Sequence, residues 1–421
     1  MLCYYYPPLI DVGCTRSVAF SKYFKKHGWD PFVLSVKNPD KNYCRLGDDS
    51  PPEGVQVDYT FSIINPYPFV TFAHAALRRF MGMLGIKLKF NYIYHFFCIP
   101  DHFWGWIPLT VMKGKKLIRE RNIQLIYVSC SPHSSAISGI LLKKLTGKPL
   151  VIDYRDPYII KSFEYRGLQG LIGPSIQSYF LRKADSVIVN TEESKKVFIE
   201  EYPLVKNKVF TVHNGFDVDF MLDHKLEKYK KFTITYTGNF YPKMIPPELV
   251  FDALSILDQE RKITADNFQF LFYGDSTDEI IKIARKCDVE KYVSANKRIP
   301  YAEALQVLSR SHFQLLRIVK PMISTKLFEG IPLNIPFLAT IPTGEVEEII
   351  KAYSPSSLIV TTDSARDVAN AISNAISMYE KHEVEDNHVE EYLESFSREN
   401  LTLKLMRIIE ENVLIDESLA Q

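Results

Sequence analysis

Residues 309–345 read SRSHFQLLRIVKPMISTKLFEGIPLNIPFLATIPTGE. The apolar runs at 312–318 and 335–340 have the length and composition of buried strands. A helix is expected between them at 324–331, because Ser324 is a good N-cap residue. A strand, a helix and a second strand in this order predict a parallel α/β sheet with right-handed crossovers.

The same alternation of strands and helices extends over both halves of the chain. The strands predicted before a polar stretch at 223–231 are 2–6, 31–36, 123–130, 148–156, 184–191 and 208–215. Those predicted after it are 232–238, 268–274, 312–318, 335–340 and 357–362, with helices near 246–258, 277–287, 301–310, 324–331, 345–353 and 364–380. We therefore predict an α/β fold of two doubly wound, Rossmann-like domains, 1–222 and 223–391, which face a central cleft.

The bulk properties exclude several classes of protein. At 421 residues the chain can bury two cores, and its formal net charge of +1 gives no global field that would attract nucleic acid. The six cysteines form no CxxC pair, so neither a zinc knot nor a disulfide scaffold is indicated and a reducing cytoplasm is expected. Neither a secretory signal nor an apolar run of about 18 residues is visible, which predicts no membrane span.

The helix start at Ser324, Thr325 and Lys326 has the features of an anion site. Unpaired backbone NH groups at a helix N-terminus, together with the helix dipole, favour a diphosphate there. Lys326 adds a full positive charge, and Glu329 follows on nearly the same helix face, where a carboxylate can accept both ribose hydroxyls. The alternative is that Lys326 and Glu329 form only an i,i+3 surface ion pair.

Gly13 and Arg16 follow the first predicted strand. Gly13 is expected in the loop after that strand, where a glycine lets the backbone approach an anion closely, and Arg16 enters the next helix. The alternative for Gly13 is a plain turn glycine.

The candidate catalytic residues lie at two other strand ends. Asp153, Arg155 and Asp156 belong to the segment IDYRDP, and His133 belongs to SPHSS. Either group could orient an acceptor hydroxyl or take its proton, and a histidine that titrates near neutrality suits that work. The alternatives are an internal ion pair of Arg155 with Asp156, and simple N-cap polarity for His133.

Six segments together resemble glycosyltransferase family four, whose members carry a K-[LF]-[FY]-E stretch, an apolar turn and P-[IVF]-L-A. Here that motif stands as TKLFEGIPLNIPFLA (325–339). The other segments, in the family's order, are YYYPPLIDVGCTRSVAFSKYFKKHGWDPFVLSV (4–36), SCSPHSSAISGILLKKLTGKPLVIDYRDPY (129–158), VIVNTEESK with VFTVHNGFDVDF (187–195 and 209–220), TYTGNFYPK (235–243) and VSANKRIPYAEALQVL (293–308). The resemblance covers nearly the whole chain except 40–100.

The resemblance implies a GT-B enzyme that moves a sugar from a nucleoside-diphosphate sugar, a UDP- or GDP-sugar, to a glycan or lipid-linked acceptor. Such enzymes usually retain the anomeric configuration and need no bound metal or other cofactor, and polysaccharide biosynthesis is their usual setting. Accordingly, Asp217 and Asp219, the one DxD here, are interpreted as structural. The donor-binding residues expected in the second domain are Gly238, Asn239, Lys243, Arg298, Ile299, Arg317, Ser324, Thr325, Lys326 and Glu329.

The resemblance also implies a role for some of these residues. Lys243 would meet the donor pyrophosphate, where positive charge stabilises the leaving nucleotide. The backbone at Arg298 and Ile299 would meet the base, Glu329 the ribose and Lys326 the diphosphate.

Two positions depart from the family's pattern. Asn239 stands where relatives often have arginine, which removes one phosphate contact that Arg317 or Lys320 could replace. Pro321 stands where many relatives carry the first acid of an E-x7-E pair, so backbone donors around 322–323 would have to serve the sugar. This second departure leaves the identity of the sugar open.

Two further segments carry expectations of their own. The stretch 59–108 is rich in aromatic residues interleaved with Arg78, Arg79, Lys87 and Lys89. It is interpreted either as a packed insertion or as a surface that docks on the inner face of an anionic membrane. The amphipathic segment 392–414, within the C-terminal 392–421, is expected to be a helix that crosses back to the first domain, as in the resembled family.

Two other functions are compatible with this fold. A nucleotide-sugar epimerase would need a compact set of acids around the sugar, and no such cluster is visible in the sequence. A binding scaffold with a decayed site is suggested by Pro321 and Asn239, and is opposed by Lys243, Lys326 and Glu329.

Overall fold

The computed structural model describes residues 1–9, 12–40, 44, 46–47, 49–87, 92–159, 167–221, 226–240, 245–319 and 323–414. They form two compact units, Met1–His213 with Leu401–Gln421 and Asn214–Asn400. Each unit contains a parallel sheet, so the predicted α/β class with two Rossmann-like sheets is confirmed.

Among its described residues, the first unit contains six strands: β1 Phe32–Val36, β2 Gln56–Thr60, β3 Ile126–Cys130, β4 Leu150–Tyr154, β5 Ser186–Val189 and β6 Val209–Thr211. Strands β1 and β2 pair with each other, and β3 to β6 pair in sequence order, all in parallel. The predicted strand 2–6 is not a regular strand. Only Leu2 bridges, to Leu34 on one side and Val128 on the other, and it thereby joins the two sets of strands.

The helices of the first unit are α1 Val12–Lys26, α2 Tyr67–Met83, α3 Tyr92–Phe97, α4 Ile107–Glu120, α5 Ser134–Thr146, α6 Gly167–Lys183 and α7 Glu192–Glu201. Strands β3 and β4 are buried at every position, as in a sheet covered on both faces.

In the part of the second unit that the structure describes there are six strands: β7 Phe232–Thr237, β8 Phe268–Tyr273, β9 Val293–Asn296, β10 Phe313–Arg317, β11 Phe337–Thr340 and β12 Leu358–Val360. They pair in parallel in the order β12-β11-β10-β7-β8-β9. The helices are α8 Glu248–Gln259, α9 Thr277–Lys286, α10 Tyr301–Ser309, α11 Thr325–Gly330, α12 Glu345–Tyr353, α13 Ala365–Glu380 and α14 Val389–Phe396. The five strands predicted in this half all form; β9 was not predicted.

Helix α11 lies directly on the sheet because its last residue has no side chain. A Cβ at Gly330 would lie 2.5 Å from Gln314 Oε1 and equally close to two ring atoms of Phe337. A larger residue would push the helix off β10 and β11, together with the Lys326 and Glu329 that it carries.

The predicted single helix over 392–414 is wrong. Helix α14 ends at Phe396, and α15 begins after Ser397 and spans Arg398–Ile409. Ser397 is extended, with ψ 142°, and the backbone beside it pairs with Phe216. The buried residues of α15 that follow pack against Phe20, Phe24 and Tyr127 of the first unit: Leu401, Leu405, Met406 and Ile409.

The stretch 59–108 is only partly a packed insertion. Phe103 and Trp106 are buried beside Tyr4. In contrast, six phenylalanines of the stretch are exposed: Phe61, Phe69, Phe72, Phe80, Phe96 and Phe97. The packed interpretation therefore holds for the end of this stretch and fails for α2 and α3.

Candidate functional site

The site in the second unit is built on the start of α11. Ser324 is extended and caps the helix, since its Oγ accepts a hydrogen bond from Lys326 N at 3.4 Å. The Lys326 ammonium lies 5.1 Å from the centre of the Tyr236 ring, near the end of β7. Helix α11 therefore brings its lysine to the carboxyl edge of the sheet, where ligands bind in folds of this kind.

Gly238 leaves the space that Lys326 occupies. Its φ of +111° belongs to the region that favours glycine, and a Cβ there would lie 3.0 Å from Lys326 Nζ and 3.1 Å from its Cε. The backbone conformation therefore favours glycine after β7, and a Cβ there would displace the end of the Lys326 side chain.

Lys326 and Glu329 are partly buried, and their charged forms are disfavoured. Burial lowers the pKa of Lys326, which nearby Glu329 partly offsets. Burial raises the pKa of Glu329 from its ordinary 4.5 to about 7, against the opposing effect of Lys326 and Arg398. Neither side chain forms a salt bridge with a residue that the structure describes. Lys326 and Glu329 therefore do not form the surface ion pair that was the alternative.

Three residues linked to Glu329, directly or through Tyr301, were not predicted as part of the site from the sequence. Burial raises the pKa of Tyr301, and Glu329 contributes to that rise. Arg398 acts in the opposite direction on Glu329, and its Nε donates to Gly215 O at 3.0 Å. Asp217 also influences Tyr301, and it caps the short helical turn Val218–Phe220 by accepting from Asp219 N at 3.3 Å. These residues come from segments far apart in the chain. Asp217 and Tyr301 lie in segments that carry the family resemblance, but nothing in the local sequence places them near Glu329.

Asn239 and Arg298 both form hydrogen bonds with a third residue, Asp275, which was not predicted from the sequence. Asp275, which follows β8, accepts from Asn239 Nδ2 at 3.1 Å and from Arg298 Nη2 at 3.1 Å, and its own NH donates to Asn239 Oδ1 at 2.8 Å. The signal that could have found it is its position directly after a buried strand and a glycine. Ile299, beside Arg298, lines a pocket of about 660 Å³ together with Tyr273.

Arg317 is a buried cation at the end of β10. Its Nη1 donates to Thr340 Oγ1 at 3.3 Å, and its Nε has no hydrogen-bond partner among the described residues. Burial lowers its pKa, while Asp363 and Tyr236 act in the opposite direction. Tyr236 thus interacts electrostatically with Arg317, and its ring faces the ammonium group of Lys326.

In the first unit, Arg16 and Asp153 form a buried network. Arg16 Nε and Nη2 donate to the two oxygens of Asp153 at 2.8 and 3.0 Å, and Arg16 also donates to the carbonyls of Val212 and His213. Tyr127 OH donates to the same carboxylate, which is completely buried. Because the hydrogen bonds of Arg16 and Asp153 go to other groups of the protein, we assign these two residues a structural role and leave them out of the proposed site.

His133 and Arg155 lie at the carboxyl edge of this sheet. Burial lowers the pKa of His133, and one ring nitrogen lies 3.2 Å from Asp156 O. Arg155 donates to Ser131 O and lies 5.3 Å from the Tyr5 ring, and it forms no salt bridge with Asp156. The internal ion pair considered for these two residues therefore does not form, and Asp156 is exposed.

Gly13 lies in the first turn of α1, where the sequence predicted a loop. Lys243, Lys320 and Pro321 lie outside the described residues.

Residues 16–220 match the family model of Glycosyltransferase Family 4. The chain therefore carries a glycosyltransferase family-four domain over these residues and has the GT-B fold. No curated protein sequence matches it significantly.

Solved structures share the fold of this glycosyltransferase over almost its whole length. A glycosyltransferase from Rickettsia africae is 13% identical, with a TM-score of 0.64 over 94% of each chain. Anabaena HepE (Alr3699), solved with UDP and glucose, is 13% identical, with a TM-score of 0.63 over 94% of this chain and 95% of its own. A putative UDP-N-acetylglucosamine 2-epimerase from Listeria monocytogenes is 12% identical, with a TM-score of 0.54 over 94% of this chain and 91% of its own.

Among the described residues, none of the glycosyltransferase's helices combines the length and apolarity that crossing a bilayer requires.

Proposed function

We propose that this glycosyltransferase moves a sugar from a UDP- or GDP-sugar to a glycan or lipid-linked acceptor, with retention of anomeric configuration. The observation that carries the proposal is Lys326 and Glu329 at the carboxyl edge of the sheet, without salt-bridge partners among the described residues. A diphosphate would supply the anion that Lys326 lacks, and ribose hydroxyls would supply donors to Glu329. HepE with its bound UDP supports a uridine diphosphate donor.

In this proposal the neighbouring residues bind the diphosphate and the base of the donor. Arg317 adds charge near the diphosphate, and Gly238 and Asn239 offer backbone and amide groups beside it. The backbone at Arg298 and Ile299 receives the base. Since side-chain cations supply the positive charge, we propose that transfer needs no metal, which activity in excess EDTA would test.

In the first unit, we propose that His133 orients the acceptor hydroxyl or takes its proton. Burial lowers its pKa, so the ring is neutral at neutral pH and can accept a proton or a hydrogen bond.

The first test is a thermal-shift screen of nucleotides and nucleotide-sugars with the wild type, Lys326→Ala and Glu329→Ala. A ligand at a hundred times its Kd stabilises by about 2.7 kcal/mol, and we expect this shift for one nucleotide and its loss in both variants. The matched controls are Glu347→Ala and Lys351→Ala, which remove an ion pair on α12 between a half-buried glutamate and an exposed lysine, with an Oε1–Nζ distance of 2.6 Å. A shift that survives in both site variants would contradict the proposed donor site.

Product analysis separates the proposal from the other two functions. Nucleotide-sugar incubated without acceptor should remain largely intact. Release of an epimerised sugar would instead favour an epimerase, and tight nucleotide binding without turnover on any acceptor would favour a scaffold.

A further inference from the structure

The stretch from Tyr59 to Pro100 has an unusual charge balance. It contains no Asp or Glu, and its charged residues are Arg78, Arg79, Lys87 and Lys89. The whole chain is nearly neutral, so this cationic stretch is local to the first unit. A surface of this charge attracts anionic partners.

Helix α2 presents an apolar stripe to solvent within this stretch. The stripe consists of residues spaced by three or four, which therefore share one helix face. Its large members are highly exposed: Phe69 65%, Phe72 74%, Phe80 59% and Met83 78%. The opposite face packs inward through buried Val70 and the half-buried Leu77 and Met81. The helix is thus apolar on both faces, although only one of them is covered.

The exposed surface continues beyond α2. Leu84 and Ile86 follow the helix and are exposed, as are Phe96 and Phe97 of α3, which packs on α2. Arg78, Arg79 and Lys87 are also exposed. Contiguous exposed apolar residues of this number mark an interaction surface.

We propose that the exposed face of α2, extended by Phe96 and Phe97, docks this enzyme on an anionic lipid bilayer. Phenylalanines enter the boundary between headgroups and acyl chains, while the arginines and Lys87 meet the lipid phosphates. The inference rests on the proposed function in one respect, since a lipid-linked acceptor would be met at the same surface. A second copy of the chain fits less well, because a symmetric interface would set this acid-free, cationic surface against itself.

The test is flotation with vesicles of pure phosphatidylcholine and with vesicles that also contain phosphatidylglycerol. We expect the wild type to float with the anionic vesicles, and to do so less at high salt. The double variant Phe72→Ser/Phe80→Ser should bind at least about tenfold more weakly, because two large apolar groups no longer enter the bilayer. Arg78→Glu/Arg79→Glu should lose about fivefold for each charge removed.

Matched controls come from an exposed turn of the same unit, Pro203–Lys208. Leu204→Ser removes a leucine that is 85% exposed, and Lys206→Glu reverses an exposed charge; both variants should float like the wild type. Each substitution lies on the surface, so unchanged thermal melting will show that the variants fold.

Three outcomes would overturn the proposal. The first is absence of wild-type flotation with anionic vesicles, and the second is equal binding by the Phe72→Ser/Phe80→Ser variant. The third is a dimer in light scattering that this variant abolishes while vesicles are not bound. The nucleotide thermal shift is measured without lipid and should persist in the variant, so failure of docking is distinguishable from failure of the donor site.

Discussion

Replacing Glu329 by glutamine should make the ligand-free protein more stable at neutral and alkaline pH. Burial raises the pKa of this carboxyl from 4.5 to about 7. At ~1.4 kcal/mol per pH unit, the ionised side chain costs the folded protein up to roughly 3 kcal/mol relative to a solvated carboxylate. Glutamine keeps the shape and carries no charge, so most of this cost should disappear in Glu329→Gln.

The pH dependence follows from the direction of the shift. Between pH 4.5 and about 7 the folded protein binds more protons at Glu329 than the unfolded chain does. The contribution of this residue to the free energy of unfolding therefore falls as pH rises through that window, and it is lowest above about pH 7. In Glu329→Gln this part of the pH dependence should be missing.

Thermal and denaturant unfolding at several pH values measure both effects. A gain of roughly 1–3 kcal/mol should raise the Tm by about 2–4 °C per kcal/mol in a unit of this size. The matched control is Glu347→Gln on α12, where the hydrogen bond from Lys351 lowers the pKa, so no gain is expected. A Glu329→Gln variant that is less stable than the wild type at alkaline pH, with a parallel pH profile, would refute the reasoning. The same variant should lose nucleotide binding, because an amide is a weaker acceptor for two hydroxyls than a carboxylate.

Two further predictions concern glycine and a buried ion pair. Gly238→Ala should weaken nucleotide binding, because its Cβ would lie 3.0 Å from Lys326 Nζ; Gly147→Ala also has a positive φ but meets nothing within 4 Å, so it should change stability without changing the nucleotide Kd. Arg16→Ala should lower the free energy of unfolding by about 3–5 kcal/mol, measured in denaturant, since it leaves Asp153 buried without its cation; a loss below about 1 kcal/mol would argue against the structural role.

The second unit could be predicted closely because its elements carry local signals. Helix α13 was expected at 364–380 and spans Ala365–Glu380, with Ser364 as its cap through a hydrogen bond from Asp367 N. Strand β10 has apolar residues at three of its five positions and is buried at every position. Strand β9 was missed because Val293–Asn296 is short, lies at the edge of the sheet and is half polar.

The errors arise where contacts between distant segments decide the local structure. The amphipathic period continues across Ser397, so the sequence predicts one helix, but the backbone there is extended and pairs with Phe216. The run at 2–6 is apolar enough for a strand, yet only Leu2 bridges, while Tyr4 and Tyr6 are buried in the cores beside it. Neither partner is visible from the local sequence.

For the same reason, the sequence alone does not distinguish charged residues with a structural role from those with a functional role. Arg16 and Asp153, 137 residues apart, look like two independent site residues in the sequence, but each satisfies the other in the core. Lys326 and Glu329 are adjacent on one helix and look like an ordinary surface pair. In the structure it is this second pair that lacks salt-bridge partners among the described residues, with both pKa values moved toward neutrality. A buried charge that is fully paired has its desolvation cost offset by its partner, whereas one that is held apart from its neighbour costs stability until a ligand pairs with it. On this energetic ground we place the proposed donor site at α11 and assign the pair of Arg16 with Asp153 a structural role.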